Sequence, residues 1–301
     1  MSEDHRYVDD VAGALRDPVL VVMLTGWIDA SGSAAAAMAA LEEECRSHPL
    51  IEFDDDTYID YRARRPTLEL RDGVNTGLAW AVPQLQIGAV GGRDILTLSG
   101  PEPDMNWHRF ATTVGQIAVE LKVGRMVALG AYPFATPHTR PAHLSATSPS
   151  RQLLDALPFR TSSIDVPAGM AAALELALHE RDIPAVGIWV QVPHYVATMS
   201  YPAASVALLD GLGTASGISV EAQGLRREAL LQRERLDHLV EGNDEHRTMV
   251  AQFEELYDAA DESVTTSTAD DAPPGDGELE LRSGDEIAAE VERYLRDHGK
   301  S

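Results

Sequence analysis

The sequence predicts an α/β protein, a mixed sheet covered by helices on both faces, with a small helical region at the carboxyl end. Three observations carry this. Apolar runs of strand length alternate with helix-period segments up to about residue 220. One of those runs, Val19 to Leu24, passes through a glycine turn straight into an alanine-rich segment ending in Glu42-Glu43-Glu44. Beyond Glu221 the chain is rich in Leu, Glu, Arg and Gln with no β-branched run, which reads as helix without sheet.

Taken in order, the run at 18–24 is continuously apolar, as a strand buried on both faces must be. The turn Gly26-Trp27-Ile28-Asp29-Ala30-Ser31-Gly32 follows it, then a helix at about 33–46. Strands are expected at about 50–60, 67–71, 78–87 and 94–98, with Asp72-Gly73 as a hairpin turn because glycine accepts the positive φ of a tight reversal. In the next helix, at about 105–121, Trp107, Phe110, Val114, Ile117, Ala118 and Leu121 fall on one face. Strands at 125–130, 162–166 and 185–192 then alternate with helices at 149–157, 168–181 and 202–212. These elements form a first domain at residues 1–222.

Residues 223–301 form a helical extension. Its segment 224–258 reads as two helices broken at Glu241-Gly242-Asn243-Asp244, where Gly242 ends one and Asn243 or Asp244 caps the next. The stretch at about 261–282 is acidic, and Thr265 to Gly277 offers almost nothing to bury, so it reads as a flexible linker. Ser283-Gly284-Asp285-Glu286 then has capping-box spacing, opening a helix whose Ile287, Val291, Tyr294 and Leu295 form an apolar stripe.

Composition narrows the function classes. The 301 residues carry a net charge of −24, and residues 254–286 alone hold twelve acids against one base, Arg282. The remainder is still at −13. Phosphate binding needs a surplus of Lys and Arg, so a nucleic-acid partner is not expected, nor is an anionic membrane surface. Cys45 is the single cysteine, which excludes an internal disulfide and a multi-cysteine metal site. The start Met1-Ser2-Glu3-Asp4-His5-Arg6 has no apolar signal core, and no run approaches the roughly 20 apolar residues of a membrane span. The expectation is a soluble cytoplasmic protein.

Four apolar strands each lead into a polar or aromatic loop. The first supplies Trp27 and Asp29, the strand at 94–98 supplies Asp104, Trp107 and His108, the strand at 125–130 supplies Tyr132, His138 and Arg140, and the strand at 185–192 supplies His194 and Tyr195. If the strands are parallel, the loops share one rim of the sheet, where open α/β proteins bind ligands or partners. Trp27, Asp29, Asp104, His108, His138, Arg140, His194 and Tyr195 are the candidate ligand-binding residues.

Each also has a plain structural reading. Asp104 directly precedes a helix and reads first as its N-cap. Asp29, in a tight turn before another helix, reads first as a capping or turn-bonding group. Trp27 and Trp107 read as packing residues whose indole N–H finds an acceptor. His138 and His143 lack helical zinc spacing, so no metal is assigned. Arg62, Arg64, Arg65 and Arg71 form the one basic cluster; Arg62, Arg64 and Arg65 are candidates for an anion, and pairing with Asp54, Asp55 and Asp56 is the simpler use. No G-x-S-x-G elbow, P-loop or zinc-protease motif is present, and the glycines around Gly211-Leu212-Gly213 have the wrong spacing for a dinucleotide. No catalytic residue or cofactor is assigned.

Three segments occur in the order Gly26 to Gly32, Tyr61-Arg62-Ala63-Arg64-Arg65-Pro66, and Leu98-Ser99-Gly100-Pro101-Glu102-Pro103-Asp104, with Trp107 and Phe110 behind them. Together they resemble the PAC2 family, named after a proteasome assembly chaperone, and its actinobacterial members above all. The resemblance covers about residues 18–220. It implies a three-layer α/β/α fold related to nucleoside phosphorylases, self-association with a trimer as one candidate state, and proteasome-related proteins among candidate partners. It implies no catalytic residue. Family chaperones that dock through a terminal hydrophobic–Tyr–any tripeptide differ from this chain, which ends Gly299-Lys300-Ser301. The expected function is a non-enzymatic, homo-oligomeric assembly or scaffold protein. The alternative is a small-molecule binder or enzyme, phosphorylase- or hydrolase-like, using a cleft at the strand ends.

Overall fold

The computed structural model describes residues 4–9 and 13–266. The strands are β1 (His5–Tyr7), β2 (Val19–Thr25), β3 (His48–Phe53), β4 (Thr67–Arg71), β5 (Val74–Ala79), β6 (Gln84–Val90), β7 (Arg93–Pro101), β8 (Arg125–Phe134), β9 (Leu144–Thr147) and β10 (Ala185–Pro193). The helices are α1 (Ser33–Cys45), α2 (Asp55–Tyr58), α3 (Trp107–Glu120), α4 (Arg151–Asp155), α5 (Met170–His179), α6 (Pro202–Ser216), α7 (Gln223–Glu241) and α8 (Asp244–Thr266).

Eight strands form one mixed sheet in the order β1-β3-β6-β7-β2-β8-β10-β9. Its centre is parallel: β7 with β2, β2 with β8, and β8 with β10. The flanks are antiparallel. Strands β4 and β5 make a separate two-stranded hairpin whose turn, Asp72-Gly73, has positive φ at both residues, as a type I′ reversal requires.

The alternation of β2 builds two cores. Val19, Val21 and Met23 face α1 and α6, joined by Leu236 of α7. Leu20 and Val22 face α3 and α5, where Phe110 packs 4.8 Å from Phe53 and 5.1 Å from Tyr58 between ring centres. A strand apolar at every position is thereby satisfied, because helices cover both faces. The chain is thus an α/β protein with a mixed central sheet.

Several local expectations change. The segment 50–60 is β3 followed by the short α2, and 78–87 holds the end of β5 and the start of β6. Residues 162–166 form no strand: Ile164 and Val166 are exposed, and the edge of β10 that they could have joined is taken by β9. The break between α7 and α8 falls where the sequence places it, with Asn243 Oδ1 accepting the Glu245 and His246 amides. By contacts the chain divides into Met1–Asp258 and Ala259–Ser301. The acidic stretch after Thr266 and the stripe of Ile287, Val291, Tyr294 and Leu295 lie outside the described residues.

Glu175 on α5 is a buried acid held by Thr147, whose hydroxyl donates to Oε1 at 3.0 Å. Burial pushes its pKa up to about 8, against that single hydrogen bond. The folded state therefore keeps a proton that the unfolded chain releases near pH 4.5. Stability falls as pH rises from there through about 8, by roughly 1.4 kcal/mol per unit at most. Glu175→Gln is expected to abolish this slope and to be more stable than the wild type under alkaline conditions. Urea unfolding of both proteins across that pH range checks it, and parallel curves refute it.

Candidate functional site

Because β7, β2, β8 and β10 are parallel, their carboxyl ends lie on one rim. The order places β2 between β7 and β8, so the chain leaves β2 toward one side and returns on the other, which is a topological switch point. Pairing between β2 and β8 stops at Val22 and Ala128 and resumes only as a single bridge from Asp29 to Ala131. The loop Gly26–Ile28 lies in that gap of register.

This loop is built by its own residues. Gly26 has φ +126°, and a Cβ there would sit 2.6 Å from the Arg64 guanidinium and 2.9 Å from Glu102 Cγ. Only glycine fits both the conformation and the space. The Asp29 carboxylate accepts the amides of Ala34 at 2.8 Å and Ala35 at 3.1 Å, so it caps α1 from just before the 3-10 turn Ala30–Gly32. Burial raises its pKa and the two amides oppose the rise. The Ser31 amide then donates to Ala197 O at 2.7 Å, tying the first loop to the loop after β10.

The β7 loop is equally self-satisfied. Buried Glu102 accepts the Met170 amide at the start of α5 at 3.0 Å. Asp104 is not the N-cap expected of it: Asn106 occupies that position, and Asp104 accepts Arg64 Nε at 2.8 Å and the Asp60 amide at 3.0 Å. Arg64 is thus spent on Asp104 rather than on Asp54, Asp55 or Asp56, while Arg62 and Arg65 are exposed. Trp107 donates to Pro103 O at 2.7 Å. His108 is exposed on the first turn of α3.

The β8 and β10 loops do converge, and helices α7 and α8 close over them. The His138 amide donates to the Tyr195 hydroxyl at 2.8 Å, and that hydroxyl lies 2.7 Å from His138 Nδ1. The Asp237 carboxylate of α7, 3.2 Å from Nε2, can only accept, so in the neutral ring Nε2 carries the proton and donates to it, and the Tyr195 O–H donates to Nδ1. Arg140 pairs with Glu254 at 3.0 Å and Asp258 at 2.8 Å. Phe253 stacks parallel to Tyr195 at 6.3 Å and edge-on to His194 at 5.3 Å. His143 stacks on Tyr257 at 4.0 Å. Burial holds the pKa of His138 below the ordinary histidine value, and the Asp237 carboxylate opposes it. His194 is lowered by burial as well.

His138, Arg140, His194 and Tyr195 are therefore one cluster, while Asp29, Asp104 and His108 are engaged or placed elsewhere. The residues that complete the cluster, Asp237, Phe253, Glu254 and Asp258, were not among the candidates. Their helical spacing marks them only as faces of α7 and α8. No group of three or more metal-ligating side chains occurs among the described residues.

The rim also exposes a set of large apolar side chains. Trp27 and Ile28 after β2, Met105 after β7, Phe134 ending β8 and Met199 after β10 are each 36–48 % exposed. Each parallel strand thus delivers at least one large apolar side chain to solvent at the same end.

The PAC2 family profile matches residues 23–240. The chain belongs to the PAC2 family. No curated protein matches the sequence. Among solved structures the PAC2 chain is similar to a PAC2 family protein from Streptomyces avermitilis, 32 % identical over 79 % of this chain and 99 % of that one, with a TM-score of 0.71. It is also similar to a proteasome-assembly chaperone homologue from Mycobacterium tuberculosis, 30 % identical over 78 % of this chain and 99 % of that one, TM-score 0.71. A second Mycobacterium tuberculosis protein, of unknown function, is 29 % identical over 89 % of this chain and 93 % of that one, TM-score 0.79. These neighbours agree with the actinobacterial affinity of the sequence. No helix among the described residues is long and apolar enough to cross a membrane.

Two predictions follow from the bonding. Asp29→Ala removes two cap acceptors from α1 and is expected to cost about 1–2 kcal/mol in chemical denaturation; an unchanged midpoint refutes the capping role. His138 is neutral in the folded protein, with a lowered pKa, so the unfolded chain takes up its proton first as the pH falls below the ordinary value of 6.5. Stability contributed here is complete above that value and is lost as the pH falls through the folded pKa. Hydrogen exchange of α7 amides is expected to quicken on acidification in the wild type and to be fast but pH-flat, after correction for intrinsic rates, in His138→Ala.

Proposed function

We propose that this PAC2 protein is a non-enzymatic, chaperone-like assembly or scaffold protein of the cytoplasm. It works as a homo-oligomer, with a trimer as the candidate state, and uses the carboxyl rim of its sheet to hold a protein partner. One observation carries this reading: the rim spends Asp29, Glu102, Asp104 and His138 on the fold and turns a set of large apolar side chains to solvent. Asp29 and Glu102 cap helices, Asp104 holds Arg64, and His138 is bonded at both ring nitrogens. Trp27, Ile28, Met105, Phe134 and Met199 are exposed at this end, alongside His108 and His194. Exposed apolar side chains gathered at one end are the usual mark of a protein-docking surface. The mycobacterial relative described as a proteasome-assembly chaperone homologue supports proteasome-related proteins as partners.

A second reading rests on the register gap between β2 and β8, where doubly wound sheets hold small ligands. There Trp27 would be a ligand platform rather than a protein contact, and no cofactor is needed for either use.

The test is affinity capture of full-length protein from native cells, followed by mass spectrometry of both proteins and small molecules. Wild type is expected to bring down a defined protein partner that Trp27→Asp/Phe134→Asp loses while remaining folded. Recovery of the protein alone refutes the partner claim. Recovery of a stoichiometric small molecule instead replaces it with the second reading.

A further inference from the structure

Between Arg160 and α5 the chain runs through Thr161-Ser162-Ser163-Ile164-Asp165-Val166-Pro167-Ala168-Gly169 with no helix, turn or bend, and every residue from Thr161 to Ala168 is exposed. Both ends are held. Arg160 is bridged to Ser145 of β9, its amide donating to Leu144 O at 3.1 Å and its carbonyl accepting from the Ala146 amide at 2.9 Å. Gly169 lies against Trp27, where a Cβ would come 3.0 Å from the indole, and the next amide, that of Met170, is the one bonded to Glu102. Among the described residues, no hydrogen bond involves Thr161 to Ala168.

The stretch has the sequence of a strand without the partner of one. In extended backbone Ile164 and Val166 share one side, and Thr161, Ser163 and Asp165 the other. Both apolar side chains are more than half exposed. An open edge of this kind is a pairing template, and chains that do not use one block it with lysine or proline. Thr161 to Val166 hold neither, and proline comes only at 167.

We propose that Thr161–Val166 is a β-addition site that takes an extended segment of the protein partner as a second strand; the inference rests on the protein-docking reading of the rim and names the chemistry of what docks. Clamping at both ends keeps the stretch extended before a partner arrives, so less ordering is lost on pairing. Backbone groups supply the attraction and side chains select. A fitting segment is apolar at alternate positions, to lie against Ile164 and Val166. It is basic at the positions between, because Asp165 is the one charge in the stretch and the chain as a whole stands at −24. A second copy of this chain is a poor occupant, since it brings another Asp165 and another −24. The contact of Gly169 with Trp27 leads a strand laid here to the exposed apolar side chains of the rim.

The probe is a short, end-blocked, fluorescein-labelled peptide alternating lysine and valine, titrated with the full chain by fluorescence anisotropy. Saturable binding is expected, and none for the same peptide with glutamate in place of lysine. N-methylation of alternate peptide amides on one edge is expected to weaken binding at least about tenfold, and on the other edge much less. Ser162→Pro/Ser163→Pro removes one donor from each edge of the stretch, changes no charge and breaks no bond of the fold. It is expected to weaken binding by the same factor with unchanged circular dichroism. No saturable binding, or wild-type affinity in the proline variant, overturns the proposal. In capture from native cells, a proline variant that holds the wild type's partner undiminished refutes the segment while the rim reading stands, and a wild type that captures nothing refutes both. A wild-type oligomer that the variant loses in light scattering makes the occupant a second copy, which also overturns the proposal.

Discussion

The parallel register of β7, β2, β8 and β10 is the constraint on which the rest depends. Parallel neighbours cannot be joined by tight turns, so the connections carry helices: those between strands lay α1 on one face and α3 and α5 on the other, and α6, after the last strand, joins α1. Burial on both faces in turn demands strands that are apolar throughout. The same register sends every strand end to one rim, which makes four loops distant in sequence into neighbours. The Ser31–Ala197 bond, between loops 166 positions apart, exists only because of it.

A rim of this kind collects peptide N–H groups at helix starts, and those groups must be satisfied. Asp29 and Glu102 do this for α1 and α5, at the cost of their availability to a ligand. The other half of the rim is closed differently. Loops after β8 and β10 carry His138, Arg140, His194 and Tyr195, and α7 and α8 return over them with carboxylates and aromatic rings matched to each. The helical extension is therefore part of the rim's construction up to Asp258. An acidic extension suits this position because the loop beneath it holds Arg140.

The central strands and their loops were legible because they obey local rules: continuous apolarity, a glycine turn, an aspartate before a helix. Asp29 shows how far such rules reach, since capping chemistry alone predicts the bond found. Asp104 shows where they stop. It has the sequence position of an N-cap, but Asn106 adopts the left-handed conformation that begins α3 and leaves Asp104 to Arg64, 40 residues away. Residues 162–166 fail for a related reason. Alternation of Ile164 and Val166 describes a strand, yet a strand needs an edge, and β9 holds the one on β10. The partnership of His138 with Asp237, 99 residues apart, has no local signature at all.

The two exposed apolar surfaces differ in how they are braced. The rim side chains project from loops braced by capping bonds and the Gly26 turn, so the surface is preformed and holds its shape without a partner. The hairpin pairs with no third strand among the described residues, and its three leucines are about half exposed. A preformed surface suits a partner that comes and goes, because little ordering is lost on each visit.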